Sequence, residues 1–311
     1  MDLIERAAAN LAKVRRATDD RPQAADSEVR ERRLAADAAV ALQGHRLVET
    51  PEKRPEGLAE ARKSRLAASI DVARLKSAGL VTPFGARNRI DEEFRVIKRP
   101  LLLKAFAKGH DAVHNGHLIM VTSAHPGEGK TFCSISLAMS VAAEPDLNVL
   151  LVDADVMRPS IPDVLGIQAE RGLIDLIADE SLDFSDVLIR TNIENLTVLP
   201  AGRAHHLAPE LLASERMGSI VEDMAHRYPD RVIVFDSPPS LASSVPGVLA
   251  LHVGQIAFIV EAERTSEAAV NAGLAAVGNC KNIGLVLNRT RSTRASGRLY
   301  SYYYGYGRES A

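Results

Sequence analysis

Leu118-Ile-Met-Val-Thr-Ser-Ala-His-Pro-Gly-Glu-Gly-Lys-Thr131 is the stretch that decides the fold of this chain. Leu118–Thr122 is a short apolar run with β-branched residues and reads as a buried strand. The glycines at 127 and 129 then let the backbone turn its N–H groups inward, and a helix-length segment, Lys130–Ala143, follows. Strand, glycine turn, Lys-Thr and helix in this order make a phosphate-binding loop. Its amides and the positive end of the next helix would cradle phosphate oxygens. Lys130 would reach the β- and γ-phosphates of ATP, and the Thr131 hydroxyl would hold Mg²⁺. Ala124 takes the place of the first glycine usual in such a loop, and it is small enough to keep the turn.

Outward from this loop, the texture between residues 86 and 290 repeats. Further strands are expected at Val149–Val152, Thr197–Leu199, Val232–Phe235, Ile256–Val260 and Ile283–Leu287. Helices are expected at Pro209–Arg227 and Thr265–Gly278. Apolar runs buried on both faces and separated by helices predict an α/β sandwich of the P-loop NTPase type around a mostly parallel sheet. Two of the strands run into carboxylates: Asp153-Ala-Asp155-Val-Met-Arg158-Pro159 and Asp236-Ser-Pro-Pro239. In open parallel sheets, ligands lie beyond the carboxyl ends of the strands, so these motifs converge with the loop on one crevice. A lone Asp there is ordinarily a cap or a turn residue. Three at matched positions beside a phosphate loop point to metal and proton chemistry.

The ends of the chain differ from this middle. Residues 1–85 read as a helical, partly disordered extension. Leu3, Ile4, Ala7, Ala8, Leu11 and Val14 share one helical face, residues 19–57 are rich in Arg, Ala and acids, and a helix is expected from about Leu58 to Ser77 with Gly79 as its stop. After residue 290 comes an Arg-rich segment and then Leu-Tyr-Ser-Tyr-Tyr-Tyr-Gly-Tyr. Five of the six tyrosines of the chain (Tyr300, Tyr302, Tyr303, Tyr304 and Tyr306) lie there. A segment this poor in aliphatic residues is expected to be a flexible tail, residues 291–311. The net charge of −2 gives no general attraction to nucleic acid. No run approaches the roughly 18 apolar residues of a membrane span, and the first residues lack a signal peptide's apolar stretch, so a cytoplasmic protein is expected. Cys133 and Cys280 lack metal or redox spacing, and Cys133 reads as a buried thiol. His110, His114 and His117 read as a solvated turn, as does the pair His205-His206.

The loop, the Asp-x-Asp-x-x-Arg-Pro motif, the Asp-Ser-Pro-Pro motif and the tyrosine tail together resemble the cytoplasmic kinase domain of bacterial tyrosine autokinases, which control capsule and exopolysaccharide synthesis. The resemblance covers about residues 86–311. It implies nucleotide contacts from Pro126, Gly127, Glu128, Gly129, Lys130, Thr131, Phe132, Arg158 and Asn288. It further implies catalysis by Lys130, Asp153 and Asp155, metal binding by Thr131, Asp155 and Asp236, and autophosphorylation of the tail. The family also carries a Glu-x-x-Arg-x-x-Arg subunit-contact motif on a helix ahead of the loop. Glu92 and Arg95 match it, and Lys98 stands at the last position, keeping the charge but losing the fork of Arg. The wording around this motif looks most like the branch associated with exosortase-type exopolysaccharide systems. The family further implies a ring-type homo-oligomer, a transmembrane chain-length regulator that supplies an activating segment and draws the chain to the inner face of the plasma membrane, and a cognate tyrosine phosphatase.

Two other classes compete. Partition and septum-placement ATPases, of the ParA and MinD type, share the loop but carry an extra lysine five residues before the conserved one. His125 stands at that position here. A nucleic-acid-binding module could stack bases on the Arg- and Tyr-rich tail, but no binding-domain motif accompanies it.

Overall fold

The computed structural model describes residues 67–83 and 88–290. The chain divides between Arg62 and Lys63, and the first unit lies outside the described residues. The second opens with a two-residue strand, β1 (Ala67–Ala68), and a short helix, α1 (Val72–Ser77). Asp71 caps that helix by accepting the Arg74 N–H at 3.0 Å. Gly79, at φ +78°, ends it, as the sequence predicts. The upstream part of the expected Leu58–Ser77 helix lies mostly outside the described residues, and Ala67–Ala68 within it is strand.

The expected domain boundary at residue 86 does not describe this region. Ile70, Leu75, Leu80 and Val81 are buried in the same core as the sheet. β1 pairs with a later strand, and the Asn192 amide clasps Ile70 through both its N–H, at 2.8 Å, and its C=O, at 3.1 Å. These four residues have no regular spacing, so only tertiary docking reveals them as core.

α2 (Arg89–Ala105) begins with a reciprocal capping box between Asn88 and Asp91. Then follow β2 (Leu118–Ser123), α3 (Lys130–Ala142), β3 (Asn148–Asp153), α4 (Ile161–Leu165), α5 (Leu173–Ala178), α6 (Phe184–Val187), β4 (Ile189–Thr191) and β5 (Leu196–Leu199). The chain continues through α7 (Ala208–Leu212), α8 (Glu215–Arg227), β6 (Arg231–Asp236), α9 (Val245–Leu249), β7 (Gln255–Glu261), α10 (Glu267–Ala276) and β8 (Ile283–Asn288). All six expected strands are present. The single helix expected over 209–227 is two. Ser214 adopts extended backbone and accepts the Met217 N–H, so it starts a new helix instead of continuing the old one.

The strands form one sheet in the order β1-β4-β5-β3-β6-β2-β7-β8. Every neighbouring pair is parallel except β4 with β5. Helices cover both faces, giving two apolar cores. One contains Phe235 and Phe258 with α5, α8 and α9; the other contains Ile119, Leu151 and Val234 with α1, α2 and α3. Because β2, β3 and β6 are parallel neighbours, their carboxyl ends, and the loops that follow, share one edge of the sheet. Among the described residues no helix is long and apolar enough to cross a membrane.

Candidate active site

The turn after β2 is built as the spacing of its glycines predicts. Gly127 and Gly129 have φ of +86° and +93°, a region that disfavours side chains. A Cβ on Gly129 would also collide with the Asn288 side chain. Gly129 caps α3 without any side-chain hydrogen bond, so the first amides of that helix are left for a ligand. Ala124 is fully buried, which explains why only a small residue fits where a glycine is usual. The segment after β6 is strapped beneath the loop. The N–H groups of Ser237, Ser240 and Leu241 donate to the carbonyls of Val121, Ser123 and Ala124 at 3.1, 2.8 and 3.3 Å.

Sheet register sets the carboxylates. Asp153 and Asp236 are direct partners across β3 and β6, and both are fully buried. Asp153 Oδ2 accepts the N–H groups of Ser160 and Ile161, each at 3.2 Å, while its Oδ1 has no partner. Asp236 Oδ1 accepts the Ser134 hydroxyl at 3.0 Å, and its Oδ2 has no partner. Burial, with the charge of Asp236 added, pushes the Asp153 carboxyl up to about 8. Burial likewise raises Asp236 to about 6, with the Thr131 and Ser134 hydroxyls and Lys130 pulling the other way. Asp155 is raised by burial and held back chiefly by Lys130. Lys130 is itself buried, and the Thr131 hydroxyl accepts from Ser160 at 3.3 Å.

Two buried carboxylates, each with one bare oxygen, are costly unless a cation or proton joins them. Asp236 with Thr131 and Asp155 would suit a divalent ion, and the bare oxygen of Asp153 is left for a proton. Among the described residues no three His, Cys, Asp or Glu side chains form an all-protein metal cage. That suits Mg²⁺, which is commonly held by one or two carboxylates plus substrate phosphates.

The side chains of several expected nucleotide contacts have partners within the protein. Glu128 is buried and turned away from the loop's inner face. It accepts the His125 N–H at 2.7 Å and the Thr265 hydroxyl, so its side chain braces protein and is not aimed at nucleotide. Asn288 donates to the Glu128 carbonyl at 2.8 Å, tying the end of β8 to the loop. Phe132 meets Phe94 of α2 edge-on, with ring centroids 6.3 Å apart, so its ring serves helix packing. Pro126 lines a cavity of about 320 Å³ together with His125, Gly127 and Glu128 of the loop and with Glu261, Arg264 and Arg289. Arg158 is exposed in the turn after Asp155, its N–H on the Asp155 carbonyl at 3.0 Å.

The subunit-contact motif splits in two. Glu92 and Arg95 pair with each other at 2.8 Å on a partly exposed face of α2. Lys98 does not belong with them. It is buried against α3, its Nζ donating to the Ser140 carbonyl at 2.5 Å and pairing with Glu144 at 2.6 Å. Helical spacing turns it inward, and the long side chain finds carbonyl and carboxylate partners there. Cys133 is buried, and burial with Asp236 nearby pushes its thiol up to about 12, which makes it unreactive. His110, His114 and His117 precede the amino end of β2, the opposite end from the phosphate loop. Tyr300, Tyr302, Tyr303, Tyr304 and Tyr306 lie outside the described residues.

Known proteins are similar to this chain. Residues 114–227 match a P-loop family described as ParA, NUBPL iron-transfer P-loop NTPase. The putative tyrosine-protein kinase CapB of Staphylococcus aureus is 28% identical over 225 residues, which is 72% of this chain and 92% of CapB. The putative tyrosine-protein kinase EpsB of Ralstonia nicotianae is 29% identical over 194 residues, and the match spans only 24% of that longer protein. The crystal structure of the VpsO kinase domain superposes with a TM-score of 0.55 at 28% identity, over 65% of this chain and 96% of that one. With the phosphate loop and strand-end carboxylates in place, the chain is similar to bacterial tyrosine kinases and to P-loop NTPases.

Proposed function

We propose that this chain transfers the γ-phosphoryl group of ATP to the tyrosines of its own C-terminal cluster, in trans within an oligomer. The observation that carries the reading is the register pair Asp153 and Asp236, buried beside Lys130 and Thr131 with one oxygen of each left bare. The loop amides and Lys130 hold the triphosphate and stabilise charge as it develops. Thr131, Asp155 and Asp236 would hold Mg²⁺, which when bound would supply positive charge to offset that of the phosphates. A tyrosine with its ordinary pKa near 10 is protonated at neutral pH. Asp153 takes that proton as the phenol oxygen bonds to the γ-phosphorus and ADP departs with the electrons of the broken P–O bond. A carboxylate held by two amides and raised toward 8 is a better proton acceptor than an ordinary one, once it has lost its own proton.

Self-association through α2 is supported by Glu92 and Arg95 and by Val96 and Leu103, exposed on the same helix. Control of exopolysaccharide polymerisation and export belongs to this reading. So do recruitment to the inner membrane face by a transmembrane chain-length regulator and reversal by a tyrosine phosphatase. Incubation with ATP and Mg²⁺ followed by phosphosite mapping tests the core of it. The wild-type chain should carry phosphate on the tail tyrosines, and Lys130→Met should carry none. Phosphotyrosine on Lys130→Met would place the chemistry elsewhere.

The match over residues 114–227 keeps one second reading in view, a ParA-like ATPase that releases free phosphate. Exposed His125, where that class uses a lysine to reach across a dimer, speaks against it. Release of free phosphate without phosphotyrosine would favour it.

A further inference from the structure

The Asp153 carboxylate is held by a helix that has few bonds of its own. α4 has five residues, Ile161–Leu165, and its cap residue Ser160 makes no side-chain cap bond. A helix this short is not stable by itself, so its place is set by what packs against it. Yet its amino end meets two site residues. The Ser160 and Ile161 N–H groups hold Asp153 Oδ2, each at 3.2 Å, and the Ser160 hydroxyl reaches that of Thr131 at 3.3 Å. We propose that Arg74 of α1 is a positioning residue for the reaction, clamping the carboxyl end of α4 so that its amino end stays seated on Asp153. This role rests on the autokinase reading, in which Asp153 takes the tyrosine proton.

The contact lies where α4 stops. Arg74 Nη2 donates to the Asp163 carbonyl at 3.2 Å. The same carbonyl accepts the Gly166 N–H at 3.3 Å, in the turn that ends the helix. Gly166 has φ +70°, and a Cβ there would lie 3.0 Å from Arg74 Nη1, so the guanidinium rests against that turn. Cationic side chains at a helix carboxyl end bond its last carbonyls and offset their partial negative charge. α4 has no basic residue in its own last turn, and α1 supplies one.

Arg74 can act as a clamp because its own helix is anchored. Leu75, the next residue, is 1% exposed and belongs to the same apolar core as Ile161 and Leu165. Asp71 caps α1, β1 pairs with β4, and Asn192 clasps Ile70. These bonds fix residues 67–81 to the edge of the sheet, and the exposed Arg74 side chain carries that anchorage across to α4. In the sequence Arg74 is one charged residue of a surface helix, with no motif around it. Only the docking of α1 beside α4 gives it a path to the site. The loop amides and Lys130 are carried by β2 and α3, so ATP binding should not depend on this path.

The test follows the initial rate of phosphotyrosine formation in the full chain over a range of ATP concentrations, beside a melting curve. Arg74→Ala should lower the limiting rate about fivefold, with the KM for ATP and the melting temperature unchanged. Arg74→Lys, which returns a cationic donor to the carbonyl, should recover most of the rate. Lys76→Ala, which removes an exposed cation from the same helix, should match the wild type. A limiting rate in Arg74→Ala equal to that of the wild type would overturn the role. So would a loss that Lys does not restore, a loss shared by Lys76→Ala, or one that comes with a lower melting temperature. A wild-type chain that forms no phosphotyrosine would instead sink the autokinase reading, and this role with it.

Discussion

Glu128 shows how much one side chain inside the phosphate loop can do without touching phosphate. Its carboxylate accepts the His125 amide within the loop and the Thr265 hydroxyl, and its backbone carbonyl accepts the Asn288 amide, so two later segments hold the loop in shape. Glu128→Ala should raise the KM for ATP about tenfold with little change in thermal midpoint, while Glu128→Gln, which can accept from His125 and donate to Thr265, should retain most of the affinity. Steady-state kinetics of both variants beside a melting curve would decide it. Equal damage from Ala and Gln would show that the charge, not the bracing, matters.

The carboxylate pair makes a second prediction at this scale. Asp153 is raised from 3.8 to about 8 and Asp236 from 3.8 to about 6. The folded chain thus binds more protons than the unfolded one across that window. The associated stability is fully present below the unfolded value and is lost as pH rises through the folded one. The melting temperature of ligand-free protein should therefore fall between about pH 5 and pH 8.5, and Asp153→Asn should flatten much of that slope. A slope of the same size in Asp153→Asn would assign the effect to other groups.

At the scale of elements, α2 has two faces with different tasks. One packs Phe94, Lys98 and Leu101 inward, and the other presents the Glu92–Arg95 pair with Val96 and Leu103. Lys98 is an internal brace between α2 and α3, because its partners are Ser140 and Glu144 of the same chain. Lys98→Ala should cost about 2 kcal/mol in urea unfolding, since it removes a charged donor to a buried carbonyl, and should leave the oligomeric state of the folded fraction as it was. Arg95→Glu should do the reverse, weakening assembly in sedimentation with little loss of stability.

At the scale of the whole molecule, the sheet order brings the ends of β2, β3 and β6 side by side, so a loop and two carboxylates spread along the chain from residue 124 to residue 236 become one site. On the proposed function, the cluster of five tail tyrosines would act as a graded store of charge. Replacement of any single tail tyrosine by Phe should leave most phosphate incorporation, and replacement of all five should abolish it. Intact-mass measurement after incubation with ATP would show this, and total loss from a single replacement would point to one privileged acceptor.

The strands, the loop and the carboxylates were legible because their chemistry is local. Apolar runs mark buried strands, two glycines mark positive φ, and a strand-end acid stands next to its strand. Ala67–Val81 were not legible as part of the sheet, because a two-residue strand and four irregularly spaced apolar residues have no period until a core receives them. Ser214, which splits the expected long helix, competes with helical periodicity on both sides and wins through one side-chain cap. Glu128 and Phe132 lie within a motif whose spacing says that the segment binds phosphate, yet spacing cannot say which way each side chain turns. By itself, the sequence determined the class of the fold, the loop and the residues that meet at it. Only the tertiary structure decided that Glu128, Lys98 and Phe132 brace the protein, and that Asp153 and Asp236 stand in register. Those facts depend on contacts between segments far apart in the chain, where burial and hydrogen-bond satisfaction outweigh local preference.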